Sequence, residues 1–127
     1  MGGSNVHELC KDARFNRGIL DRIAGLAPDS LNGRFALQFT ITTYDLHTEW
    51  LMYQAVFLFT VDGKRTLTGR CKHAYGSSDE PCRYAEFEFR NPETKKEEEL
   101  GSWDTLTIVI RAGKEEKRFE VTKPRAK

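Results

Sequence analysis

The chain has 127 residues, 39% hydrophobic, 31% charged and 11% aromatic, which fits one folded domain with a single core and excludes a disordered chain. Twenty Lys and Arg against nineteen Asp and Glu leave a formal charge of +1, so neither a strongly basic nucleic-acid binder nor an acidic solvating tail is expected. No apolar run reaches the ~20 residues that a membrane helix needs.

A single domain over residues 1–127 is expected, with residues 1–5 a flexible start and residues 123–127 a basic tail. Val6, Leu9, Cys10, Ala13, Leu20, Ala24 and Ala27 recur at helical spacing, with Phe15, Ile19, Ile23 and Leu26 on adjoining positions. This pattern predicts an amphipathic N-terminal helix that Gly18 can divide into two short helices and that Pro28 ends. Asn32-Gly33 then turns the chain.

The remainder reads as strand. Phe35, Leu37, Phe39 and Ile41 alternate with smaller or polar residues, as a half-buried strand does. The run over residues 50–61 is followed by Asp62-Gly63, whose two residues tolerate the positive φ of a type I′ hairpin. Residues 66–73 pair back. Ala85, Phe87 and Phe89 alternate with Tyr84, Glu86 and Glu88, and residues 103–111 and 117–122 form a last hairpin around Ala112-Gly113. The expected class is α+β, an N-terminal helix packed on a curved, half-barrel-like antiparallel sheet of about six strands.

Leu51, Met52, Tyr53, Ala55, Val56, Phe57, Leu58, Phe59 and Val61 do not alternate. Both faces of such a strand are apolar, and one helix covers only one face of a sheet. The second face must be covered by the sheet closing on itself, a second copy of the chain, a foreign protein or a small apolar ligand. Trp50, Met52 and Val56 are expected to face outward, since Trp anchors interfaces and Met adapts to them. On that expectation Met52→Glu breaks assembly and leaves the fold intact; if the face belongs to the core, it unfolds the chain.

Charge is balanced overall but not locally. Residues 79–104 hold nine acids, among them Asp79, Glu80, Glu86 and Glu88, against four bases, whereas residues 111–127 hold seven bases against three acids. Asp79, Glu80, Glu86 and Glu88 join Trp50, Met52 and Val56 as candidate partner-binding residues, because an acidic patch steers a basic partner. The run from Lys95 to Glu99 reads as a solvated connection.

No catalytic motif stands out, and no cofactor is expected. Cys71, His73 and Cys82 resemble the beginning of a zinc site, with Cys10 as a further ligand, yet there is no CxxC and no metal is expected. Tyr44, Asp45, His47 and Glu49 crowd one turn without a nucleophile beside them. Three cysteines are an odd count for a disulfide framework, no signal peptide is visible, and no Asn sits in an N-x-Ser/Thr site. A cytoplasmic location is expected. The partner is another protein or a second copy, with no nucleic acid and no membrane.

Two stretches carry a family resemblance. Ile19, Leu20, Ile23, Leu26 and Pro28 look like the helix and Leu-x-Pro-like step that open small bacterial YezG-like toxin-immunity proteins. Trp103-Asp104-Thr105-Leu106-Thr107 is similar to the Trp-led hairpin on which those proteins close. The resemblance implies a non-enzymatic inhibitor that neutralises a toxin or enzyme. The alternative is a ligand-binding or catalytic domain in which helix and curved sheet enclose an apolar pocket.

Overall fold

The computed structural model describes residues 19–28, 34–39, 51–75 and 82–123. A four-residue 3-10 turn at Ile19–Arg22 leads into seven strands, β1 (Ile23–Pro28), β2 (Arg34–Phe39), β3 (Val56–Val61), β4 (Arg65–Tyr75), β5 (Cys82–Arg90), β6 (Thr105–Ala112) and β7 (Glu115–Thr122). They form one sheet in the order β1-β2-β5-β4-β3-β6-β7, antiparallel at every ladder. The sheet curls into a nearly closed barrel. Among the described residues no helix is long and apolar enough to cross a membrane.

The expected helix-on-sheet arrangement is therefore corrected to a strand barrel. Residues 6–18 of the predicted helix lie outside the described residues, but its last part is a 3-10 turn and a strand. The reason is local. Gly25 disfavours a helix and Pro28 is tolerated at a strand end, while Ala24 and Ala27 suit either state. A 3-10 turn has three residues per turn, so Leu20 and Ile23 still reach the core together, 3% and 0% exposed.

The doubly apolar run also resolves into two elements. Residues 51–54 form a helical turn, closed by Ala55 N donating to Leu51 O at 3.4 Å, and the strand begins only at Val56. Leu51 and Met52 thus enter the core from a helical turn, where neighbouring residues need not face opposite ways. From Val56 onward the strand alternates, with Phe57, Phe59 and Val61 inward. Self-closure covers Leu51, Met52, Phe57, Phe59 and Val61, whereas Tyr53 and Val56 stay exposed.

Phenylalanines fill the barrel. Phe59 lies 5.4 Å from Phe35, 5.1 Å from Phe87 and 5.0 Å from Phe89 between ring centroids, and Phe57 lies 4.9 Å from Phe87. Leu37, Leu67, Leu106, Ile108 and Ile110 complete the interior, all fully buried. Gly69 on β4 is required here: a Cβ would collide with the Phe59 ring, which lies over that backbone. The end at which β1, β3, β5 and β7 begin is closed by Leu51 and Met52. The other end is plugged by Leu100 and Trp103 from the β5–β6 connection.

Asp62-Gly63 makes the β3–β4 turn with φ of 53° and 69°, and Lys64 N donates to Val61 O at 2.9 Å, as a type I′ turn requires. The Asp62 carboxylate also accepts from Thr105 N (2.8 Å) and Asp104 N (2.9 Å), tying this turn to the start of β6. These two backbone donors, Thr105 first, hold its carboxyl below its ordinary value near 3.8. A lowered folded-state value contributes stability above the unfolded value and loses it as pH falls through the folded one. Asp62→Asn keeps an acceptor and tolerates positive φ, so only the charge is removed. Wild type is expected to exceed this variant in stability at pH 7, with the gap shrinking below pH ~4. Denaturant titrations across pH check it; a gap independent of pH would show that the charge contributes nothing.

Candidate functional site: an acidic cleft beside β5

β5 presents Ala85, Phe87 and Phe89 to the core and Glu86 and Glu88 to the outer face, as its period of two dictates. Beyond Arg90 the chain reverses around Asn91. Its side-chain oxygen accepts from Glu93 N (2.8 Å) and Thr94 N (3.1 Å), while Lys95 N donates to Asn91 O at 2.9 Å. Lys95 takes a positive φ of 66°. The chain then returns along β5, bridging Glu97 to Arg90 and donating from Glu98 N to Phe89 O at 2.9 Å.

Arg65, at the start of β4, pins the returning segment. Its guanidinium donates to Leu100 O (2.6 Å), Glu99 O (3.3 Å) and the Glu98 carboxylate (3.2 Å). A planar fork with five donors suits three acceptors spread over one curve of backbone. Asn91 Nδ2 donates to the other Glu98 oxygen at 3.1 Å. Arg90 holds Glu88 through two contacts of 3.3 Å and donates to Lys95 O at 2.8 Å.

Between this segment and β5 lies a cleft of about 500 Å³. Its lining includes Glu88, Glu97, Glu98 and Glu99 as acids and Lys72, with the nearly buried Phe87, Phe89 and Leu100 at its floor. Glu98 and Glu88 are engaged by Arg65 and Arg90. Glu97 and Glu99 are exposed, and neither forms an ion pair among the described residues. The cleft therefore offers two uncommitted carboxylates at its exposed rim.

Of the sequence-predicted residues, Glu88 lines this cleft and Glu86 stands half-buried on the same strand, while Asp79, Glu80 and Trp50 lie outside the described residues. Val56 is 50% exposed at the start of β3, and Met52 is 2% exposed, inside the core rather than on a surface. Glu97, Glu98, Glu99 and Arg65 were not distinguishable as site residues by periodicity, since charge runs mark any solvated loop. Asn91-Pro92 was the available signal, as a turn that folds the following acids back on the strand before it.

The cysteine and histidine of β4 diverge. A bulge between Cys71 and His73 shifts the register, leaving Cys71 buried and His73 exposed, so the two do not share a face as regular strand spacing implied. Burial pushes the Cys71 thiol up to about 11, and its S–H donates to His73 O at 3.4 Å. That thiol is neutral and unreactive at physiological pH. Among the described residues no group of three or more His, Cys, Asp or Glu is placed to hold a metal. Cys10, Tyr44, Asp45, His47 and Glu49 lie outside the described residues.

No family model matches this chain, and no curated protein or solved structure is similar to it. The functional reading therefore rests on the cleft itself.

Proposed function

We propose that the domain is a non-enzymatic protein-binding module, an inhibitor or immunity protein that neutralises a partner toxin or enzyme by engaging a basic segment of it. The cleft beside β5 carries the reading. An arginine or lysine of the partner enters the cleft and brings its charge to Glu97 and Glu99. Prior anchoring of Glu98 and the backbone by Arg65 leaves little of the site to be ordered on binding.

Other observations lean the same way. The barrel interior is occupied by phenylalanine rings in mutual contact, which favours a surface site over an enclosed apolar ligand pocket. Trp103 leads into the β6–β7 hairpin, the second of the stretches resembling YezG-like immunity proteins; the first is a 3-10 turn and strand instead of a helix. Cys71 as a free thiol accords with a cytoplasmic site of action.

An immunity role requires a toxin gene alongside this one, and the product of that gene is the partner to test. Wild type is expected to bind it with an affinity that falls as salt rises. Glu97→Lys together with Glu99→Lys should weaken binding by about tenfold or more, because like charges then meet the partner's basic segment. Both changes are on exposed side chains and should leave unfolding within ~0.5 kcal/mol of wild type. Titration calorimetry at two salt concentrations decides it. Absence of binding by wild type overturns the inhibitor reading; binding unaffected by the double substitution removes the cleft from it.

A further inference from the structure

Seven strands antiparallel at every ladder form an odd ring, so the first and last must run in the same direction where they meet. β1 and β7 do so, and each ends the ladder order, with no strand pairing between them. A closed ring that is antiparallel throughout needs an even number of strands. An odd count makes the closing pair parallel, and no ladder forms there, so the barrel carries a seam between β1 and β7.

Burial declines toward that seam. On β3, β5 and β6 the inward side chains are buried, whereas no residue of β7 is fully buried and β1 buries only Ile23. Leu26 of β1 and Phe119 and Val121 of β7 are only partly buried against the core. Where ladder bonds are missing and apolar burial is thin, local opening requires the least free energy.

Lys117 crosses the gap. The Lys117 ammonium on β7 donates to Ile23 O at 2.7 Å and to Leu20 O at 3.4 Å, and lies 5.5 Å from the Phe119 ring centroid. It supplies between β7 and β1 the bonding that a ladder would otherwise provide. Being half-buried, it is less exposed to solvent competition than a surface lysine.

We propose that the barrel opens at the β1–β7 seam and that Lys117 is the latch that holds it shut. Opening frees the backbone edges of both strands and bares the row formed by Leu26, Phe119 and Val121. The strands around Phe59 stay paired, since their ladders and ring contacts lie across the barrel from the seam.

Hydrogen exchange on the full-length protein tests the latch. In wild type the amides of β1 and β7 are expected to exchange fastest among the seven strands. Lys117→Met keeps an unbranched apolar stem and loses the donor. It should speed exchange in β1 and β7 by about tenfold or more, a hydrogen bond to a charged group being worth at least that factor in an opening equilibrium. β3, β4 and β5 should stay at wild-type rates, and Lys117→Arg, which retains charged donors, should restore slow exchange at the seam. Unchanged exchange in β1 and β7 overturns the proposal. So does equal acceleration in every strand, which would make Lys117 a contributor to global stability without a role as a latch.

Discussion

Phe59→Ala is expected to cost ~3–5 kcal/mol of folding stability, the range for removing a fully buried aromatic side chain. Its ring is 0% exposed and touches Phe35, Phe87 and Phe89 at centroid separations of 5.4, 5.1 and 5.0 Å. It also covers Gly69, where no Cβ has room, so one wall of the resulting cavity is bare backbone fixed in the β3–β4 ladder. Such a wall cannot collapse inward, and cavity cost rises with the volume left unfilled. Since a domain has about 5–15 kcal/mol in total, the variant should be partly unfolded or have a much lower denaturant midpoint. A loss below ~1 kcal/mol would show that the ring cluster is not the centre of the core.

Met52→Glu should lower folding stability about as much as Phe59→Ala does, leaving the protein partly unfolded or with a much lower melting temperature. Met52 is 2% exposed, on the helical turn just before β3, beside Leu51 at 0%. A carboxylate there is buried in the hydrophobic core, a situation that costs ~3–5 kcal/mol when a buried charge is left uncompensated. Protonation would spare part of that cost but still bury an unsatisfied polar group. Met52→Leu conserves volume and should change stability by less than ~1.5 kcal/mol. Circular dichroism and thermal melts of both variants decide the matter. A Met52→Glu protein that melts like wild type would put this side chain at a surface and restore it as a partner contact.

The burial of Met52 bears on why some expectations at the sequence level failed and others held. Strand positions were legible wherever alternation and turn chemistry agreed. Phe35 and Leu37, then Ala85, Phe87 and Phe89, point inward as their spacing of two requires. Asp62-Gly63 and Gly113 take the positive φ that their hairpins need. Ile23–Pro28 was not legible, because two alanines, a glycine and a proline leave the helical and extended patterns equally supported, and pairing with β2 decided between them. The break at Ala55 was hidden for a similar reason, an apolar run containing no punctuation between a helical turn and a strand.

The acidic cleft shows the same division. That residues 79–104 are acid-rich is a property of composition. That Glu97 and Glu99 stand free while Glu88 and Glu98 are bound depends on where Arg90 and Arg65 reach, and Arg65 is 33 positions from Glu98 in the chain. No local pattern records a contact of that separation.

From its own residues this chain determined how much core it has, which segments extend, which turns connect them and where acid accumulates. Those follow from interactions between near neighbours, the period of a strand and the φ that a turn residue permits. The ring order, the odd strand count, the seam it leaves and the cleft beside β5 were decided only by tertiary structure. Each depends on which distant backbone edges and side chains meet, and that is settled by burying the phenylalanine cluster once for the whole chain.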